Sequence, residues 1–326
     1  MPYPFAQEPP PVSNVPERPL LESVHRPVLL DAVREWLAPA AGMILVDGTV
    51  GAGGHTAALA PMVLPGGRVL ALDRDPRMLD LAAARLAHLP VELIHAPYSQ
   101  IGDELQKRQI EQADRILLDL GFSSDQLAWT DRGFSFARDD LLDMRFDPDE
   151  PIDTAADLVN SLDERQLADI FYQFGEERYA RRIARALVWS REHDGPIQTT
   201  GRLAEIVRRS VRGPRSRIDP ATRVFQALRI AVNDELAHLD RFLAHVADWL
   251  APGGRGAIIS FHSLEDRRVK QAFRDQPALN VLTRKPITAS EAEIQSNPRS
   301  RSAKLRVAER WKRPKDGTRP GTNPTR

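Results

Sequence analysis

Three carboxylates stand at equivalent points of the chain, each closing a short apolar run: Asp47 after ILV, Asp73 after VLAL and Asp119 after ILL. The first runs straight into a glycine-rich stretch, GTVGAGGH from Gly48. Glycines there let the backbone take positive φ and approach a ligand closely, and a helix opening behind them aims free N–H groups and its positive dipole end at that ligand. A tight strand-to-helix turn with no ligand would use the same residues. An acid at the end of a second strand can accept hydrogen bonds from two ribose hydroxyls, and open α/β sheets bind ligands at the carboxyl ends of their strands. The three acids are therefore expected to converge on one crevice.

The glycine count bears on the cofactor. After Gly51 and Gly53, Thr56 stands where a dinucleotide fingerprint has its third glycine, which weakens a reading as an NAD site. S-adenosylmethionine has no pyrophosphate, and its sulfonium cation suits a crevice lined by carboxylates. Asp73 would hold the ribose of either molecule, so the residues alone leave both open.

The elements that must place these acids follow from the apolar pattern. Strands are expected at 43–47, 68–73, 91–95 and 115–119, alternating with helices from Thr56, over 76–87 and over 101–108. This alternation calls for a doubly wound parallel sheet. From about residue 139 the pattern turns helical: a capping box at Ser161–Glu164, a helix over 176–191, then Asp219-Pro220 opening a long helical stretch that Asn233-Asp234 divides. The sheet resumes at 257–261, with further strands at 278–283 and 303–309. The expected organisation is a discontinuous core (23–138 and 219–312), a helical substrate-recognition insert (139–218), a Pro-rich disordered leader (1–22) and a flexible basic tail (313–326).

With 326 residues the chain can bury a full core, and with no cysteine it can build neither disulfides nor thiolate metal sites. No signal peptide or membrane span is apparent, so a cytoplasmic protein is expected, and no metal site. Lys plus Arg equals Asp plus Glu at 45 each, which speaks against gripping a polyanion through overall charge. The arginines are nevertheless clustered, at Arg178–Arg185, at Arg208, Arg209 and Arg212, and again from Arg299 and Arg301 onward. Such local surfaces can hold nucleic acid, although solvated helix faces look the same in sequence.

Ten segments taken together resemble the bacterial 16S rRNA cytosine N(4)-methyltransferase family, the small-subunit rRNA methyltransferase H proteins. They are HRPVLL from His25, DGTVGAGGH from Asp47, DRDP from Asp73, LLDLGFSSDQL from Leu117, RGFSF from Arg132, LDMRFD from Leu142, GEERYARRIARAL from Gly175, DPATRVFQALRIAVNDEL from Asp219, SFHSLEDRRVK from Ser260 and NPRSRSAKLRVAER from Asn297. Departures are mild: Asp219 replaces a usual histidine and Ala128 a common aspartate. The resemblance implies a class I S-adenosylmethionine-dependent methyltransferase, a Rossmann-like α/β fold. It also implies methyl transfer to the exocyclic amine of cytidine 1402 of 16S rRNA, with the small ribosomal subunit or its precursor as partner. By the same resemblance the cofactor contacts are Gly53, Gly54, His55, Asp73, Tyr98, Asp119 and Gln126.

The amine of cytosine is a weak nucleophile because its lone pair is delocalised into the ring, so an acceptor against its N–H and in-line placement are needed. Many amino-methyltransferases use an Asp/Asn/Ser-Pro-Pro-aromatic tetrapeptide; here Asp119-Leu120-Gly121-Phe122 occupies that place without the prolines. Asp119 is the candidate catalytic acceptor, with the hydroxyls of Ser123 and Ser124 as alternatives and Phe122 as a stacking partner for the base. His262, at the end of the resumed strand, is a candidate substrate contact. Arg208, Arg209, Arg212, Arg299 and Arg301, together with Lys304 and Arg306, are candidates for RNA phosphates. The alternatives are a methyltransferase for DNA or protein, an NAD-dependent dehydrogenase, or a non-catalytic RNA-binding relative.

Overall fold

The computed structural model describes residues 26–211 and 219–312. The leader, the tail, Arg212 and the end of the insert as read from sequence lie outside these residues.

An eight-stranded sheet is built in the order β3-β2-β1-β4-β5-β8-β6, with β7 pairing β8 beside it. Its strands are β1 (Ile44–Asp47), β2 (Arg68–Asp73), β3 (Val91–His95), β4 (Ala113–Asp119), β5 (Leu250–Ser260), β6 (Leu279–Val281), β7 (Ile287–Thr288) and β8 (Lys304–Arg310). β1 to β5 are mutually parallel, and β8 runs antiparallel between β5 and β6. Alternate residues go to opposite faces. Val46, Ile116, Leu118 and Ile258 pack on one side, and Leu45, Leu117, Ala257 and Ile259 on the other. Both faces are covered, which is why these strands read as continuous apolar runs.

On the core side of the molecule lie α1 (Leu30–Leu37), α2 (Gly54–Leu59), α3 (Pro76–Leu86), α4 (Ile101–Lys107) and α5 (Ser124–Ala128). α3 starts where its sequence says it should: Asp75 accepts from the Arg77 N–H and Pro76 fills the first turn. The helical region comprises α6 (Ala155–Ser161), α7 (Glu164–Gly175), α8 (Ala180–His193), α9 (Thr200–Ser210) and α10 (Ala221–Asn233); α11 (Glu235–Trp249), α12 (Ser263–Asp275) and α13 (Glu291–Ser296) return to the sheet. None of the described helices is long and apolar enough to cross a membrane.

Two expected helix boundaries move. The capping box of α7 is Asp163 with Gln166, not Ser161 with Glu164, because Asp163 is the residue whose carboxylate reaches the Gln166 N–H. α8 begins at Ala180, since Glu176 closes α7 in the left-handed conformation and reverses the chain. The split at Asn233-Asp234 is observed, with Asp234 at φ 50°. α10, expected with the core, packs Val224, Phe225, Ala227 and Leu228 into the same cluster as Phe171 of α7, Leu187 of α8 and Val207 of α9. Its periodicity reveals an apolar face without saying which neighbour that face meets.

Candidate active site

The β1–α2 loop forms the floor of a pocket at the carboxyl edge of the sheet. Asp47, only 1% exposed, accepts from the Thr49 N–H (3.1 Å) and from the Thr56 hydroxyl (2.6 Å), and its carboxylate does not reach the pocket wall. The expected convergence of three strand-end acids is corrected to two, Asp73 and Asp119. Thr56, read as a missing glycine, is present for its hydroxyl. Asp73 Oδ2 accepts from the Gly51 N–H (2.8 Å) and Oδ1 from the Asp75 N–H (2.9 Å). A carboxylate has about four lone-pair sites, so Asp73 retains acceptors for two hydroxyls. Gly53, at φ 81°, turns the chain and lies against Leu86 of α3, while Gly54 and His55 line the pocket.

Burial pushes all three carboxyls up, Asp47 to about 6, Asp73 to about 7 and Asp119 to about 8. The negative charge of Asp47 adds to the shift of Asp119, and Arg299 opposes it.

Asp119 is held by its backbone, whose N–H donates to Thr49 Oγ1 at 2.6 Å. Carboxylate Oδ2 lies 3.6 Å from His55 Nδ1, and the other ring nitrogen of His55 donates to the Val28 carbonyl at 3.0 Å. Oδ1 is buried with no hydrogen-bond partner. An unsatisfied buried acceptor costs about 1–3 kcal/mol, and it marks where a ligand donor belongs. The two neighbouring hydroxyls are engaged elsewhere. Ser123 Oγ caps α5 by accepting from the Asp125 and Gln126 N–H groups, and Ser124 Oγ accepts from Arg299 at 2.7 Å. Gln126 lines the pocket, but its amide accepts from the Ser123 N–H and donates to Asp75 Oδ2 at 2.8 Å, so it braces the loop.

Apart from Tyr98, the opposite wall comes from chain that the sequence does not visibly connect to the site. Tyr98 is there as expected, its hydroxyl donating to the Glu235 carbonyl (3.3 Å) and its ring edge-on to Phe242. His238 stands beside it, accepting from Ser99 Oγ at 2.7 Å and held near pKa 4, mainly by burial. Asn233, fully buried, takes the Phe146 N–H (2.8 Å) and donates to the Met144 carbonyl (2.7 Å), pinning the helical region to the turn between α10 and α11. Arg74 joins the same seam by pairing with Glu150 and donating to the Asn233 carbonyl at 2.7 Å. The signal in sequence was the NDEL turn, whose position over the pocket depends on tertiary folding.

A second cavity of about 370 Å³ adjoins the first and is walled by Phe134, Phe136, Phe225 and Phe261. His262 lines this cavity and caps α12, with Nε2 3.1 Å from Glu265 Oε1. Phe122 does not offer an open ring: the guanidinium groups of Arg229 and Arg299 lie 4.6 and 5.3 Å from its centroid, and Phe134 is stacked 6.0 Å away. The expected phosphate arginines divide. Arg208 pairs with Asp219 (2.8 Å) and Arg209 with Glu205 on the surface of α9, whereas Arg301 is exposed. Lys304 and Arg306 both bond Asp266 between β8 and α12, and Arg306 is buried, so these two serve the fold. Arg299 lines the pocket and is only partly exposed.

Residues 22–311 match the MraW methylase family. Curated relatives named ribosomal RNA small subunit methyltransferase H include the protein of Rhodopirellula baltica, 46% identical over 89% of this chain and 92% of its own. Another is that of a Cyanothece species, 50% identical over 89% and 95%. With this extent of agreement, and with the loop, strand-end acids and sheet in place, the chain belongs to the MraW methylase family.

Proposed function

We propose that the protein transfers a methyl group from S-adenosylmethionine to the exocyclic amine of a cytidine in small-subunit ribosomal RNA, at position 1402 of the decoding centre. Family membership decides between the two cofactors that the residues left open. The observation that carries the chemistry is Asp119 Oδ1, a buried acceptor without a partner at the carboxyl edge of the sheet.

The residues present fit the cofactor. Asp73 accepts from the ribose hydroxyls, the Gly51–His55 backbone approaches the methionine portion, and Tyr98 and Leu239 cover the adenosine side. Bound there, S-adenosylmethionine supplies an electrophilic methyl group. Asp119 Oδ1 accepts a hydrogen bond from the target amine, which localises the nitrogen lone pair, and takes the proton released when that nitrogen becomes substituted. Burial raises the affinity of this carboxyl for a proton, and the sulfonium cation of the bound cofactor favours its ionised, accepting form. His55 and Thr49 fix its orientation.

The helical region, extended to include α10, is the proposed RNA-recognition unit. Tyr172 on α7 and Trp189 on α8 are 68% and 55% exposed, and Arg185 and Arg209 are exposed on the same unit. Aromatic faces among arginines suit single-stranded RNA. Mass spectrometry of the 16S rRNA decoding region from cells with and without the gene tests the function. Loss of one methyl group from the cytosine amine is expected, and an unchanged methylation pattern would refute it.

A further inference from the structure

Arg299 is placed by a single turn of 3-10 helix, Pro298–Ser302, anchored through the buried Ser300, whose hydroxyl donates to the Asn297 carbonyl at 2.7 Å. From there its guanidinium reaches over Phe122 and donates to Ser124 Oγ and to the Phe122 carbonyl. Two of its five N–H donors are thus used, and three remain. Its neighbour on the same ring, Arg229, is locked by two bonds to Glu235, at 2.7 and 2.9 Å. Arg299 differs: among the described residues no carboxylate lies within 4.0 Å of it. A partly buried guanidinium with donors to spare and no ion-pair partner is costly unless something else accepts from it.

Its position says what that something is. Gly121, Phe122, Phe261 and Arg299 line both the pocket of Asp73 and Asp119 and the aromatic cavity beside it. Arg299 therefore stands at the neck through which a base in the aromatic cavity would present its edge to Asp119. A volume of about 370 Å³ lies in the range of about 300–1,000 Å³ that accommodates small molecules.

We propose that Arg299 is the residue that selects cytosine, donating from its planar fork to the base's N3 and O2 while Asp119 accepts from the amine. This rests on the function proposed above and names how its target base is read. The chemistry is asymmetric among bases. Cytosine offers two adjacent acceptors next to an amine. Uracil presents a carbonyl to Asp119 and an N–H to the guanidinium, and adenine has one acceptor followed by a C–H. A fork matches paired acceptors where a point charge does not.

The test compares the full-length protein with Arg299→Lys and Arg299→Gln, each holding S-adenosylhomocysteine. Binding is measured to small ribosomal subunits that carry cytosine or uracil at the target position. Wild type is expected to prefer cytosine, and both variants to lose roughly 5- to 150-fold of that preference, the discrimination of one bidentate pair. Their affinity for S-adenosylhomocysteine should be unchanged, which also reports that they are folded. An unaltered cytosine preference overturns the proposal, as does weakened cofactor binding in both variants, which would place Arg299 on the methyl donor. Wild-type protein that transfers no methyl group to the cytosine-bearing subunits would overturn the proposed function and this inference with it. A normal rate of transfer with unaltered preference in the variants would overturn the inference alone.

Discussion

Arg132 and Asp75 form a fully buried ion pair, Nη2 to Oδ2 at 2.9 Å, that ties the segment leading into the helical region to the turn after β2. The same Nη2 donates to the carbonyls of Arg145 (3.0 Å) and Phe146 (2.6 Å), and Asp75 also caps α3 and receives Gln126. One pair thus joins the cofactor-side loop, the pocket wall and the recognition unit. Replacing Arg132 by Met leaves a buried carboxylate unpaired, for which the expected loss is about 3–5 kcal/mol. Adding Asp75→Asn, which keeps the helix cap, should recover part of that loss. Urea unfolding of the single and double variants measures both.

Asp73 has a separable role. Asp73→Asn keeps an acceptor for one backbone N–H but removes the charge and one acceptor from the ribose position. Hydrogen bonds to charged groups contribute about 1.5–3 kcal/mol, so S-adenosylmethionine affinity should fall roughly 10- to 150-fold. Calorimetric titration checks this, and an unchanged Kd would remove Asp73 from the cofactor site.

The raised carboxyls carry a pH signature. Between the ordinary value of 3.8 and about 8, folded Asp119 retains a proton that the unfolded chain has released. The folded state then binds more protons than the unfolded one, and this contribution to stability falls as pH rises through that window. A sulfonium cation beside Asp119 favours its ionised form. The affinity ratio of S-adenosylmethionine to S-adenosylhomocysteine should therefore increase from about pH 6 to about pH 9 and level off above the folded pKa. Both ligands share the amino acid group, so its titration cancels in the ratio. A flat ratio would contradict the assignment of Asp119 to the sulfonium side.

Much of this site was legible in the sequence because its parts are local. A strand, an acid and a glycine turn are neighbours in the chain, so β1 to β4 and the two strand-end acids Asp73 and Asp119 follow from pattern. Asp47 misled because its partners, Thr49 and Thr56, are also local, and side-chain bonds of that kind leave no periodic trace. Asn233, His238 and Arg74 were not legible. Each acts across the seam between sheet and helices, where partners are roughly 90 to 160 residues apart in several cases. Arg299 was read as a phosphate contact for the same reason: a basic run looks alike whether its members face solvent or a pocket 175 residues upstream.

Asp119 Oδ1 accepts from the target amine, and single-turnover methyl transfer to small ribosomal subunits by Asp119→Asn is the sharpest check on that role. With subunits and S-adenosylmethionine saturating, the rate should fall by about 10²–10⁴-fold, the usual contribution of a positioned proton acceptor. The variant should melt no lower than wild type, since a neutral amide replaces a buried carboxyl. A variant that keeps the wild-type rate under those conditions would contradict the account.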